Sequence, residues 1–207
     1  MVKQELRQWL YLWKTQKHLL LLPIITPIIC LFIASKNLQL AKDMVVFVGF
    51  PVLIFPMVAL FMQIGSLNQQ ELFITFPITL WRYAIIRPAC LSMFYALLYA
   101  IVTIRLHEQV ELFLVFIAAT LFMLFTGLCI ALFKNSAVGL SLSLIILLGG
   151  LFTTGSGLGP LYIMQWYRWQ PGSSPDQYLK EYIVLIILCS LLTLVVIKNR
   201  NKFFLFK

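Results

Sequence analysis

Six intervals of this 207-residue chain contain no aspartate, glutamate, lysine or arginine: 18–35, 44–70, 88–104, 112–133, 135–167 and 182–197. An α-helix rises about 1.5 Å per residue and needs about 20 apolar residues to cross the hydrocarbon of a bilayer. The intervals therefore predict an all-α membrane protein with six transmembrane helices. The last is short at 16 residues, but Glu181 and Lys198 can snorkel from its ends, and Tyr178 and Leu179 extend it. The fifth is too long for one helix, and the helix breakers in Gly155-Ser-Gly-Leu-Gly-Pro160 are expected to end it near Thr154. Composition agrees: 61% of residues are hydrophobic and 11% charged, against about 45–50% and about 25% in soluble domains. That excludes a soluble globule.

The charges between the spans carry the orientation. Lys3, Arg7, Lys14, Lys17, Arg82, Arg87, Lys134, Lys198, Arg200, Lys202 and Lys207 fall on one face with only Glu5 and Glu71. Lys36, Lys42, Arg105, Arg168 and Lys180 on the other face are matched by Asp43, Glu108, Glu111, Asp176 and Glu181. The whole formal charge of +9 thus lies on the first face, and basic residues accumulate in cytoplasmic loops. Both termini are expected in the cytoplasm, in a cell or inner membrane. A surplus spent on orienting spans in a lipid environment does not point to nucleic acid.

Ahead of the first span, Val2, Leu6, Trp9, Leu10 and Trp13 recur at helical spacing, with Lys3, Gln4, Arg7, Lys14 and Lys17 in the other directions. Residues 1–17 read as an amphipathic interfacial helix. The alternative, a secretory signal peptide, fits less well with two tryptophans near the charged start, Pro23 and Pro27 in the apolar run, and no A-x-A-like site. The basic-aromatic segment 198–207 reads as an anchor at an anionic leaflet. Pro23, Pro27, Pro51, Pro56 and the pair Gly149-Gly150 are expected to interrupt the first, second and fifth spans. No repeat at the 20–50-residue scale is present, so residues 1–207 form one membrane domain.

Two connections are long enough to carry function. The first, residues 67–87, joins spans two and three on the basic face. It has a polar start, an apolar middle and a basic end, which suits a short boundary helix, a turn at Pro77 and a second helical piece. Within it Glu71 is followed by Phe73, Phe76, Pro77-Ile78-Thr79, Trp81, Arg82, Tyr83 and Arg87. This run resembles the cytoplasmic coupling segment of type-2 permeases of ATP-binding-cassette exporters. That family shows an acidic residue, a leucine run, Pro-Ile-Ser/Thr, an aromatic residue and a terminal base in this place. The six-span layout and amphipathic opening helix are also similar. The chain departs from the pattern at Ile64-Gly65-Ser66, where the family has an earlier acid, and at Asn68-Gln69, where it has Gly-Thr. The resemblance implies contact with a separate ATPase subunit through Glu71, Phe73, Phe76, Pro77, Trp81 and Arg82, and a second permease copy or relative to complete a path. ATP and Mg would be held by the partner ATPase. Without the resemblance, Glu71 reads as a helix-start acid favoured by the macrodipole, and Arg82 and Arg87 as anchors to lipid headgroups.

The second long connection, residues 155–181, faces outward and carries Trp166, Tyr167 and Trp169. Such residues favour the membrane–water boundary. In the same family this region resembles short re-entrant helices that cap the outer end of a path; an ordinary aromatic belt is the alternative.

Catalytic constellations are not apparent. There is no G-x-x-x-x-G-K-[ST] loop for nucleotide phosphates, and Gly155-Ser-Gly has no base nearby, since His18 and His107 are the only histidines. Cys30, Cys90, Cys129 and Cys189 are dispersed through apolar stretches with no C-x-x-C pair, and read as packing residues in place of a zinc or disulfide framework. No cofactor or metal is expected in the chain itself. With no charge inside a span, a path through this protein would suit an amphipathic or hydrophobic cargo, a peptide preferred. A non-transporting polytopic protein, such as an immunity or assembly factor, is the competing expectation.

Overall fold

A computed structural model describes residues 2–65, 81–107, 111–133, 136–152 and 176–199. Among these the chain is helical almost throughout and contains no strand. The helices are α1 (Val2–Ala34), α2 (Leu38–Met44), α3 (Phe50–Val52), α4 (Ile54–Gly65), α5 (Arg87–Leu106), α6 (Leu112–Leu132), α7 (Ser136–Phe152) and α8 (Asp176–Lys198). Two wider π-helical turns, π1 (Val45–Gly49) and π2 (Arg82–Ile86), precede α3 and α5.

Five helical stretches are long and apolar enough to cross a membrane: Trp9–Ala34, Leu38–Phe61, Arg82–Leu106, Leu112–Leu132 and Leu179–Lys198. The remaining charge-free interval holds α7, a shorter apolar helix of 17 residues. The second stretch starts at Leu38, earlier than the charge-free interval predicts. Asn37 caps it, its side-chain oxygen accepting from the Leu40 amide at 3.1 Å, so Lys42 and Asp43 lie within a helix.

The interruptions are redistributed relative to the prolines. Helix α1 runs through Pro23 and Pro27, and its one non-helical residue is Gln16 (φ −125°, ψ 26°). There the opening amphipathic segment turns into the longer apolar one. Leu12 is buried against the bundle while Leu6, Leu10 and Trp13 face outward. Helix α7 likewise continues across Gly149-Gly150. The second stretch is the broken one, with π1, α3 and a turn at Leu53 in succession.

The two π turns share a local cause. In π1 the Phe50 amide bonds the Val45 carbonyl, and in π2 the Arg87 amide bonds the Arg82 carbonyl. The next residue in each case is a proline, Pro51 or Pro88. Proline cannot donate to the carbonyl four residues back, and its ring crowds that carbonyl. A wider turn relieves the crowding.

Helix α6 is the hub. It carries no charge over 21 residues and is buried on nearly every side, as expected of a helix apolar all round. Helices α4, α5, α7 and α8 pack around it, while α1 lies outside them against α2, α4 and α5. In lipid, apolar faces gain little from one another by the hydrophobic effect, so close packing holds the helices together. Gly139 shows how close. A Cβ there would sit 2.8 Å from the Cys129 carbonyl oxygen and 2.9 Å from the Ile130 Cα, so α7 rests directly on the backbone of α6. Cys30, Cys129 and Cys189 are buried free thiols, as packing residues should be, whereas Cys90 is exposed on the bundle's outer surface.

Candidate functional site

Of the predicted coupling residues, Glu71, Phe73, Phe76 and Pro77 lie outside the described residues, as do Trp166, Tyr167 and Trp169 of the outer segment. Trp81 and Arg82 are described. They stand at the entry to π2, Trp81 exposed and Arg82 half-buried.

Immediately beyond them the chain is fastened to its neighbours. The Tyr83 hydroxyl donates to the Leu60 carbonyl of α4, and its ring meets Phe61 edge-on, with centroids 6.3 Å apart and planes at 83°. The Arg87 guanidinium carbon lies 5.4 Å from the Tyr83 ring centroid, in cation–π contact. Arg87 is only 6% exposed. The far side of Phe61 presses on α6, where a Cβ on Gly127 would come within 2.8 Å of the ring. Arg87, Tyr83, Phe61 and Gly127 thus form a continuous packed series from the start of α5 to the hub. Turn π2 also packs against α8, so the residues that follow the 67–80 segment touch α4 and α8 at once.

A second arrangement was not anticipated from the charges. Along one face of α5, at four-residue spacing, stand Tyr95, Tyr99, Thr103 and, at the helix end, His107. All but His107 are fully or almost fully buried. This face meets α1 and α2. Tyr95 donates to the Leu20 carbonyl of α1 at 2.8 Å. Tyr99 contacts Phe50 edge-on, with centroids 6.4 Å apart, and lies so near Gly49 that a Cβ there would sit 2.9 Å from its ring. Above it Cys30, Ala41, Val45, Val102 and Leu106 pack as a small separate apolar cluster. Beyond the end of the apolar stretch, burial and the positive charge of Lys42 hold the His107 imidazole below its usual pKa, against a hydrogen bond to the Lys42 backbone and the nearby Asp43 carboxylate. The readable signal was the i, i+4 recurrence of hydroxyl and ring side chains within an otherwise apolar span; a search for charged residues passes over it.

Among the described residues no three histidine, cysteine, aspartate or glutamate side chains come together as a metal site would require. No protein-family model matches the chain, and no curated protein or solved structure matches it.

Proposed function

We propose that this chain is the membrane-spanning subunit of an ATP-driven exporter. It crosses a cell or inner membrane six times, with α7 as the fifth span, both termini in the cytoplasm and residues 1–17 on the inner leaflet. One observation carries the reading: the Glu71–Pro77-Ile78-Thr79–Trp81–Arg87 run falls in the connection between the second and third apolar stretches, on the face that holds all the net positive charge. ATP hydrolysis takes place in a partner ATPase, which engages residues 67–87, and a second permease copy or relative completes the path.

The attachment of π2 supports a mechanical role. A displacement delivered to residues 67–80 reaches Trp81 and Arg82 first. From there Tyr83 and Arg87 pass it to α4 through Leu60 and Phe61, and the π2 packing passes it to α8. Rigid elements packed in series transmit displacement because cores do not deform continuously. The cargo is amphipathic or hydrophobic, a peptide preferred.

The test uses the tagged chain in its native membrane. Solubilised gently, it should bring down a Walker-type ATPase, and Glu71→Ala should leave insertion and yield intact while lowering transport-coupled ATP hydrolysis. A pull-down with no ATPase, or a Glu71→Ala protein with undiminished export, overturns the assignment and favours the non-transporting reading.

A further inference from the structure

Six threonines lie in the described helices, and five of them bond the carbonyl four residues earlier: Thr15 to Tyr11, Thr26 to Leu22, Thr120 to Phe116, Thr126 to Phe122 and Thr193 to Cys189. That local bond is the default for a hydroxyl in an apolar helix, because nothing else is on offer. Thr103 departs from it. It is wholly buried, and its hydroxyl has no hydrogen-bond partner. One turn earlier the Tyr99 hydroxyl is in the same condition. Across the seam the Thr26 hydroxyl, which donates to Leu22, is its polar neighbour, but the pair does not complete a hydrogen bond of full geometry.

Two adjacent hydroxyls buried without partners are costly, and native interiors rarely keep them. A fixed water cannot satisfy them in this arrangement, since each oxygen exposes less than 1 Å². Separation of the groups around them would let water reach both oxygens and remove that cost. The surroundings permit that. The wall opposite α5 is made of α1, which lies outside the ring of helices around α6, and of the interrupted stretch α2–π1. Tyr95, one turn below Tyr99, is bonded to α1 and marks where the seam is fastened.

We propose that the seam between α1 and α5 opens to water above Tyr95, so that Tyr99 and Thr103 line a hydrated crevice entering the bundle from the His107 end. In the closed state described here the hydroxyls are unsatisfied; in the open state water satisfies them. They therefore bias the seam toward opening. This inference stands on the geometry of the described helices alone and holds whether or not the chain is a transporter subunit.

Cys30 supplies the reporter. It is completely buried within the seam's apolar cluster, against Val102 and Leu106, while Cys129 and Cys189 are buried elsewhere in the bundle. The full chain in phospholipid vesicles is treated with a small water-soluble methanethiosulfonate, and modification at each cysteine is followed by mass spectrometry. Cys30 should react at least about tenfold faster than Cys129 and Cys189. The double variant Tyr99→Phe, Thr103→Val should slow Cys30 by about tenfold or more, each unpaired hydroxyl carrying roughly a tenfold bias, with thermal unfolding confirming that it is folded. As a second probe, Thr103→Cys should be modified directly at the new thiol. Cys30 as inert as Cys129, or labelling in the double variant unchanged or faster than in the native chain, overturns the proposal. Faster labelling would mean that the hydroxyls hold the seam shut.

Discussion

The hub helix α6 and the α1–α5 seam are both buried, and they bury polar groups on opposite terms. In α6 the two buried threonines, Thr120 and Thr126, turn their hydroxyls onto their own helix at 2.8 and 2.9 Å. Nothing polar is left over for a neighbour to satisfy. In the seam the Tyr95 hydroxyl reaches across to α1, whereas the Tyr99 and Thr103 hydroxyls complete no hydrogen bond. The difference separates a dry core, whose cohesion comes from packing alone, from a contact that holds only while its partners stay close. An all-apolar helix can be surrounded on four sides because it makes no demands. A helix with a polar column on one face cannot, unless water or a partner meets that column.

The largest effects should come from breaking the hub. Phe122 is fully buried in α6, and Phe122→Ala should cost about 3–5 kcal/mol, the range for deleting a large buried ring. In lipid most of that loss is dispersion and cavity cost. Gly139→Ala should cost a further amount of about 1–3 kcal/mol as an overpacking change, because the clash at 2.8 Å is with backbone that cannot turn aside. Gly149 has nothing within 4 Å of a built Cβ, so Gly149→Ala should be neutral or slightly stabilising. Thermal unfolding in one detergent ranks all three; a Gly139→Ala protein as stable as Gly149→Ala would mean that α7 is not seated on α6 as described.

Intermediate effects test the bonds that cross between helices. Tyr83→Phe and Tyr95→Phe each remove one side-chain-to-carbonyl bond, to Leu60 and Leu20 respectively. Each should cost about 0.5–1.5 kcal/mol. Their consequences should differ in place: Tyr83→Phe loosens the start of α5 from α4, and Tyr95→Phe unfastens the lower edge of the seam. Hydrogen exchange resolved along the chain distinguishes them, and an identical protection pattern in the two variants would refute the separation.

How much of this was readable beforehand follows from what each sequence signal costs to violate. Charges are expensive in hydrocarbon, so the ends of the apolar stretches near Ala34, Leu106, Leu132 and Lys198 agree with the charge-free intervals within a few residues. The start at Leu38 was missed because Lys42 and Asp43 sit in the first turns of a helix, where charge can still reach water; Asn37 was the available clue. The prolines were legible as trouble but not as to its form. Pro23 and Pro27 leave α1 helical, while Pro51 and Pro88 each follow a wide turn. Of the site, only Trp81 and Arg82 fall among the described residues. They stand at the entry to π2, and their fastening through Tyr83, Phe61 and Arg87 depends on tertiary contacts that no local pattern encodes. The polar column on α5 is written at four-residue spacing, but its hydroxyls are neutral and leave no mark on the charge pattern that locates the spans.

A smaller pair of substitutions sharpens the contrast by sign. Thr126→Val removes a satisfied bond and should destabilise by about 0.5–1 kcal/mol. Thr103→Val keeps the shape and removes an unsatisfied hydroxyl, so it should leave stability unchanged or raise it by about 1 kcal/mol. Two isosteric changes at wholly buried threonines would then move the unfolding temperature in opposite directions. Equal destabilisation by both would place Thr103 among the ordinary bonded threonines.

The mildest lever is pH, and it separates the seam from the hub, because α6 contains no aspartate, glutamate, lysine, arginine or histidine from Leu112 to Leu132. At the mouth of the seam, burial and Lys42 lower the His107 pKa in the folded protein, Asp43 and the Lys42 backbone bond opposing them only in part. The unfolded chain then binds the His107 proton more readily than the folded one. Stability rises with pH wherever the unfolded state holds more protons. The contribution of His107 is thus complete above its ordinary value of about 6.5 and is lost as pH falls through the lower folded value. Acidification places a second positive charge beside Lys42, between α2 and the end of α5, and should loosen the same end at which the crevice is proposed to open. Unfolding temperature should decline between pH 7.5 and 5.5 in the native chain and stay nearly level in His107→Gln, while Cys30 modification, corrected for thiolate ionisation with a model thiol, should quicken in the native chain only. A decline of equal size in His107→Gln would assign the pH response to groups elsewhere.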